Sequence, residues 1–126
     1  MLKKTAIYKC DTCGNIIEGL WNGKPSVSCC GHPMTEMVPN TVDAAVEKHV
    51  PVIMRDGNKV TVKVGEVAHP MTPAHYILFI EVLAGEKTYR HDFQEGDTVA
   101  VANFLIEEKE ITARAYCNLH GFWASK

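Results

Sequence analysis

The sequence predicts a mainly β protein, a small metal-knuckle domain followed by a seven-stranded β-sandwich. Three observations carry that expectation. Four of the five cysteines fall within the first 38 of 126 residues, in a stretch poor in large apolar side chains. From residue 42 onward, short alternating apolar and polar runs follow one another at regular spacing, without the three-to-four-residue periodicity of a helix. Between two of those runs stands Asp56-Gly57, a strong hairpin signal.

Residues 1–38 form the expected first domain. Glycines at Gly14, Gly19, Gly23 and Gly31 separate short β-like pieces at 6–8, 16–17 and 26–28. A segment below about 40 residues rarely buries enough apolar surface to fold unaided, so it needs a staple. Its own cysteines are the candidates. The stretch around Pro39-Asn40 reads as the linker, and residues 39–126 as the second domain. There, 50–55 leads through Asp56-Gly57-Asn58 into 59–64, which alternates cleanly. A more buried strand is expected at 76–83, followed by a turn at 84–86 and a strand at 87–93. Gly96-Asp97 turns into 98–105, and 110–116 alternates again. Short strands at this spacing imply an immunoglobulin-like sandwich.

Composition narrows the function classes. Hydrophobic residues make up 46% and charged residues 22%, as in an ordinary folded protein. A formal net charge of −2 shows no basic surface, so no nucleic-acid partner is expected. The apolar run 76–80 is far too short to span a bilayer, so no membrane partner is expected either. The first residues carry Lys3 and Lys4 but no apolar stretch before Cys10, which argues against a secretory signal. The expected compartment is therefore the reducing cytoplasm, where clustered cysteines bind metal more often than they form disulfides.

Cys10-Asp11-Thr12-Cys13-Gly14 is a C-x-x-C knuckle, in which a tight turn aims two sulfurs at one ion. The second pair, Cys29-Cys30, is adjacent, and neighbouring side chains on an extended chain point to opposite sides. Both reach one ion only if the backbone bends between them, giving a distorted tetrahedron of thiolates. Such a site holds zinc or iron, and spacing alone does not choose. His32 and Trp21 read as packing or surface residues.

A second donor set lies in the sandwich, at His49, His69, His75, Cys117 and His120, each at a strand end or in a turn. His69 and His75 bracket Pro70 and Pro73, which stiffen a loop. A lone histidine is usually a satisfied surface or core residue; four with a cysteine, all outside strand interiors, favour a metal. His91 lies within an alternating strand and is left out. Five protein donors exceed tetrahedral zinc and suit a six-coordinate ion such as iron, with one position open.

Together these motifs resemble desulfoferrodoxin, the two-iron class of superoxide reductase. The resemblance runs from Cys10 to Trp123 through C-x-x-C-G-N at Cys10 to Asn15, Cys29-Cys30-Gly31, Glu47-Lys48-His49-Val50-Pro51, His69-Pro70-Met71 and Cys117-Asn118-Leu119-His120-Gly121. It implies a desulforedoxin-like (rubredoxin-like) first domain with iron on Cys10, Cys13, Cys29 and Cys30. It implies a second iron ringed by His49, His69, His75 and His120, with Cys117 as axial ligand and superoxide as substrate at the opposite position. It further implies two iron ions per chain, reduction of superoxide to hydrogen peroxide without release of oxygen, a rubredoxin as electron donor, and a homodimer. Lys48 would attract the anion and organise a proton-donating water, and Glu47 would close the open position in the oxidised resting state.

Two features temper that implication. Pro73-Ala74 stands where related chains often carry charged residues, which weakens positive steering. In a regular strand, Glu47 and His49 would share a face and Lys48 would point away, so both can serve the site only from an irregular segment. A two-iron electron carrier without catalysis and a zinc-stapled binding module remain the competing readings. The first predicts no rapid reaction with superoxide, the second a colourless protein.

Overall fold

The structure is a computed structural model that describes residues 2–23, 27–42 and 49–125. It is built from strands throughout, with no helix among the described residues. The chain divides into two compact units, Met1–Val38 and Pro39–Lys126.

The first unit contains β1 (Ile7–Lys9), β2 (Ile16–Glu18), β3 (Ser28–Cys29), β4 (His32–Pro33) and β5 (Thr35–Glu36). Strands β2, β1 and β5 form an antiparallel three-stranded sheet, and β3 and β4 form a separate two-stranded ribbon. Each strand spans only two or three residues. Its buried apolar side chains among the described residues are Ile7, Tyr8 and Cys10. So small a core gives little hydrophobic stabilisation, which leaves the cysteine cluster as the principal cross-link. Strands β4 and β5 had no signal in the sequence, because two-residue strands are too short to show alternation.

The second unit contains β6 (Pro51–Asp56), β7 (Lys59–Val64), β8 (Ile77–Ala84), β9 (Lys87–Asp92), β10 (Val101–Leu105), β11 (Thr112–Cys117) and β12 (Gly121–Ala124). Strands β10, β7 and β6 make one sheet, and β12, β11, β8 and β9 the other. All pairings are antiparallel. The inward side chains Val60, Val62, Val64, Ile80, Val82, Ala84, Ala113 and Ala115 pack between the sheets, and alternation along each strand puts them there. Within the second sheet, the small Ala113 and Ala115 of β11 stand beside the branched Val82 and Ile80 of β8.

Most strand bounds lie within one or two residues of those expected, and two differences are larger or bear on the site. The strand expected from residue 98 begins at Val101, although the Ala100 carbonyl already accepts from the Val64 N–H at 3.1 Å. The stretch read as linker is tied down at Asn40, whose N–H donates to Phe122 O and whose carbonyl accepts from Ala124 N–H, each at 2.9 Å. The seventh strand, β12, was hidden in the sequence behind the Cys117–Gly121 turn.

Between Tyr116 and Cys117 the register of β11 against β8 slips, so that Tyr116 faces Phe79 while Cys117 faces Ile77. The extra residue on β8 is a bulge, which bends the strand and re-aims its end. It brings Ile77 and Cys117 together on the core side, both with no exposed surface. On the opposite face, Arg114 donates from Nε to Glu81 at 3.0 Å and lies over the Phe122 ring. That buried ion pair is hydrogen-bonded through Glu81 Oε1 and shielded by an aromatic face, while Glu81 Oε2 is buried without a hydrogen-bond partner among the described residues.

Candidate metal centres

In the first unit, the sulfurs of Cys10, Cys13, Cys29 and Cys30 all lie within 4.8 Å of one another. Cys10 closes β1, and a turn from Gly14 N–H to the Cys10 carbonyl at 2.9 Å brings Cys13 back beneath it. Gly14 has φ +83°, where a side chain would be strained. Cys30 has φ +53°, the left-handed bend that lets two adjacent cysteines point to one place. The Cys13–Cys29 and Cys29–Cys30 sulfurs are 3.6 and 4.0 Å apart. A tetrahedron with metal–sulfur bonds of about 2.3 Å has edges of about 3.8 Å, so the cluster fits one ion.

The protonation of these sulfurs is uneven. The N–H of Cys13, with that of Thr12, points at the Cys10 sulfur and lowers its pKa to about 6 despite the opposing effect of burial. Hydrogen bonding to Cys13 and Cys10 raises the Cys29 thiol. The same two neighbours, with Cys29, push Cys30 up to about 12. One thiolate thus holds neighbouring thiols protonated, and a metal ion must displace those protons to bind all four sulfurs.

In the second unit, the donor atoms of His49, His69, His75 and Cys117 lie within 4.8 Å of one another. His120 joins them, its Nδ1 3.7 Å from the Cys117 sulfur. The four imidazoles form a ring. Centroid distances run 4.8 Å from His49 to His69, 4.6 Å from His69 to His75, 5.0 Å from His75 to His120 and 4.7 Å from His120 to His49. The diagonal from His49 to His75 is 6.2 Å, longer than any side, as a near-square requires. Neighbouring rings are inclined by 60–77°, so they do not stack face to face.

Each donor is positioned by local structure. His49 enters just before β6, and the indole of Trp123 on β12 stacks on it at 4.9 Å and 18°. The Trp123 Nε1–H donates to the His120 carbonyl at 3.1 Å, so one aromatic side chain holds two donors. His69 Nδ1 lies 2.7 Å from the Pro70 carbonyl. A carbonyl only accepts, so Nδ1 carries the proton and the buried Nε2 presents its lone pair. His75 sits in a turn closed by Thr72 N–H to His75 O at 2.9 Å and His75 N–H to Thr72 O at 3.2 Å. Its Nε2 is buried without a hydrogen-bond partner among the described residues, an arrangement that favours a cation at that point. Cys117 pairs with Gly121 across the β11–β12 turn, where φ +84° at Gly121 closes a three-residue loop carrying His120.

Polarity is graded across the ring: His49, His69 and Cys117 are buried, His75 is half-buried and His120 is exposed. A cavity of about 580 Å³, lined by Met71, Pro73, Tyr76, Phe93 and Asp97 among others, contains none of the donors. Glu47 and Lys48 lie outside the described residues. His32 and His91 are exposed strand residues and join neither cluster. Trp123 was not singled out in the sequence; an aromatic two residues beyond a Cys-x-x-His-Gly turn is its one local signal.

Comparison with known proteins follows this division. The desulfoferrodoxin family model matches residues 41–126, and that of the desulfoferrodoxin N-terminal domain matches residues 3–37. The chain belongs to the desulfoferrodoxin family. A desulfoferrodoxin of Syntrophotalea carbinolica is 48% identical over 126 residues, covering 100% of this chain and 99% of its own. Among solved structures, the superoxide reductase from Treponema pallidum aligns with a TM-score of 0.77 at 29% identity, covering 96% of this chain and 97% of that one. The one-iron superoxide reductase from Giardia intestinalis aligns with a TM-score of 0.56 at 36% identity, covering 63% of this chain and 95% of that one. The two donor clusters match the two-iron arrangement of desulfoferrodoxin, four sulfurs in one unit and four imidazoles with a thiolate in the other.

Proposed function

We propose that this chain is a superoxide reductase, converting superoxide to hydrogen peroxide with one external electron and two protons. One observation carries the reading: imidazoles from three separate stretches close a ring against the buried Cys117 sulfur. Iron held there would supply a one-electron centre, with the Cys117 thiolate adding electron density to it. The chain's own residues do the rest. His49, His69, His75 and His120 hold the ring, and Trp123 and the Pro70 carbonyl fix the orientation of three of them. Lys48 would draw the anion and hold a proton-donating water, and Glu47 would cap the site in the resting state. The substrate is a very small anion, so a deep pocket is unnecessary and exposure at His120 suffices for access.

On the same reading, the electron donor is a rubredoxin and the working unit a homodimer in the cytoplasm. Family membership supports this, together with cysteines clustered as metal ligands, the commoner use of clustered cysteine in a reducing compartment. No helix among the described residues is long and apolar enough to cross a membrane.

The test is pulse radiolysis of the reduced protein with iron analysis. Two irons per chain and a fast bimolecular loss of superoxide without oxygen release are expected. Two reduced irons with no fast reaction would leave an electron carrier; a colourless, zinc-loaded protein would leave a binding module. In Lys48→Ala, superoxide capture should slow about tenfold and lose much of its ionic-strength dependence, with iron content unchanged. In Glu47→Ala, turnover should persist while azide gains access to the oxidised centre, read by spectral titration. Loss of iron in either variant would reassign that side chain to structure.

A further inference from the structure

The two loops that carry His75 and the Cys117–His120 turn come from distant parts of the chain, yet the ring requires them in fixed register. One side chain joins them. Asn118 Oδ1 accepts from the Tyr76 N–H at 2.9 Å, and its Nδ2 donates to the Ala74 carbonyl at 3.1 Å. The carboxamide therefore grips the backbone on both sides of His75. The Asn118 N–H also donates to the Tyr76 carbonyl at 3.1 Å, prolonging the pairing of β11 with β8 past the bulge.

We propose that Asn118 is a positioning residue for the second centre, setting the place of the His75 imidazole relative to Cys117 and His120. The proposal rests on the reading of this cluster as a metal centre. Among the described residues the Asn118 side chain hydrogen-bonds backbone and not a donor atom, so it acts through the backbone that carries one. A carboxamide suits this grip because its acceptor oxygen and donor nitrogen are separate atoms at the end of a short side chain, whereas a serine hydroxyl has one oxygen for both tasks and a shorter reach. An aspartate would set oxygen against the Ala74 oxygen, and a leucine of similar volume would satisfy neither group. The prolines at 70 and 73 stiffen the loop internally. Asn118 is exposed, so water replaces the lost partners in a variant and the fold survives. What is lost is the alignment of one donor, the kind of support whose removal typically weakens metal binding about 10- to 100-fold.

The experiment uses the full chain carrying cobalt(II) at the second centre. Release of the ion to a chelator is followed by the visible band of the imidazole–thiolate site. In Asn118→Leu and Asn118→Ser, the band should shift and release should accelerate at least tenfold. Leu119→Ala, on an exposed neighbour in the same turn, should match the wild type, and the four-cysteine chromophore should be unchanged throughout. Hydrogen exchange at the Tyr76 amide is read in metal-free samples and should rise in both Asn118 variants. A wild-type band with unaltered release in both variants would overturn the role of Asn118 and leave the metal centre standing. A wild type that shows no cobalt band, with the Tyr76 amide protected, would overturn the metal-centre reading and the role proposed on it.

Discussion

Among the described residues, the first unit buries Ile7, Tyr8 and Cys10, whereas the second encloses a core of thirteen residues from Val60 to Cys117. Both gather cysteine or histidine donors around a point, but those donors stand in opposite relations to the fold. In the first unit the donors are the cross-link, because strands of two or three residues give little else to hold the chain. In the second they sit at one end of a sandwich that already has two packed sheets. A metal that binds only the folded state stabilises either unit, but folding depends on it only where no other term is large enough. The contrast teaches that similar donor clusters can be structural in one place and free for chemistry in another.

The largest expected effect comes from removing both metals with a strong chelator under reducing conditions. The first unit should lose its structure, since a structural metal of this kind contributes on the order of 10 kcal/mol. The second should keep its amide protection through β7, β8 and β11. Equal loss of protection in both units would break the comparison. Next in size, Ile80→Ala opens a cavity between the sheets of the second unit and should cost about 2–5 kcal/mol there. The four-cysteine chromophore should not change in that variant; if it does, the units do not fold independently.

The smallest effect concerns pH. With Cys10 near 6 and Cys30 near 12, the metal-free first cluster at neutral pH holds a thiolate beside thiols. Metal binding then displaces protons, so affinity rises with pH. Zinc affinity, measured by competition with a coloured chelator between pH 6.5 and 8.5, should increase at least about tenfold per pH unit. A flat profile would mean that the sulfurs are already ionised together, and that the uneven protonation is wrong.

Much of this architecture was visible in the sequence because it rests on local patterns. Alternation marked β7 over Lys59–Val64 without error, and the adjacent pair Cys29-Cys30 demanded the backbone bend found at Cys30. The donor residues stood out because histidines and cysteines gathered outside strand interiors. Other parts gave no local signal. Strand β12 is four residues long and follows directly on a turn. Trp123 and Asn118 matter through partners far away along the chain, His49 for the one and the residues flanking His75 for the other.

The sequence by itself determined which atoms are available for metal and where strands alternate, since residue type and spacing act over a few neighbours. Tertiary structure alone decided that four imidazoles close into one ring beside the Cys117 sulfur, and which side chains hold them there. The reason is that β8, β11 and β12 meet only through sheet pairing and a bulge, whose register depends on packing of the whole core.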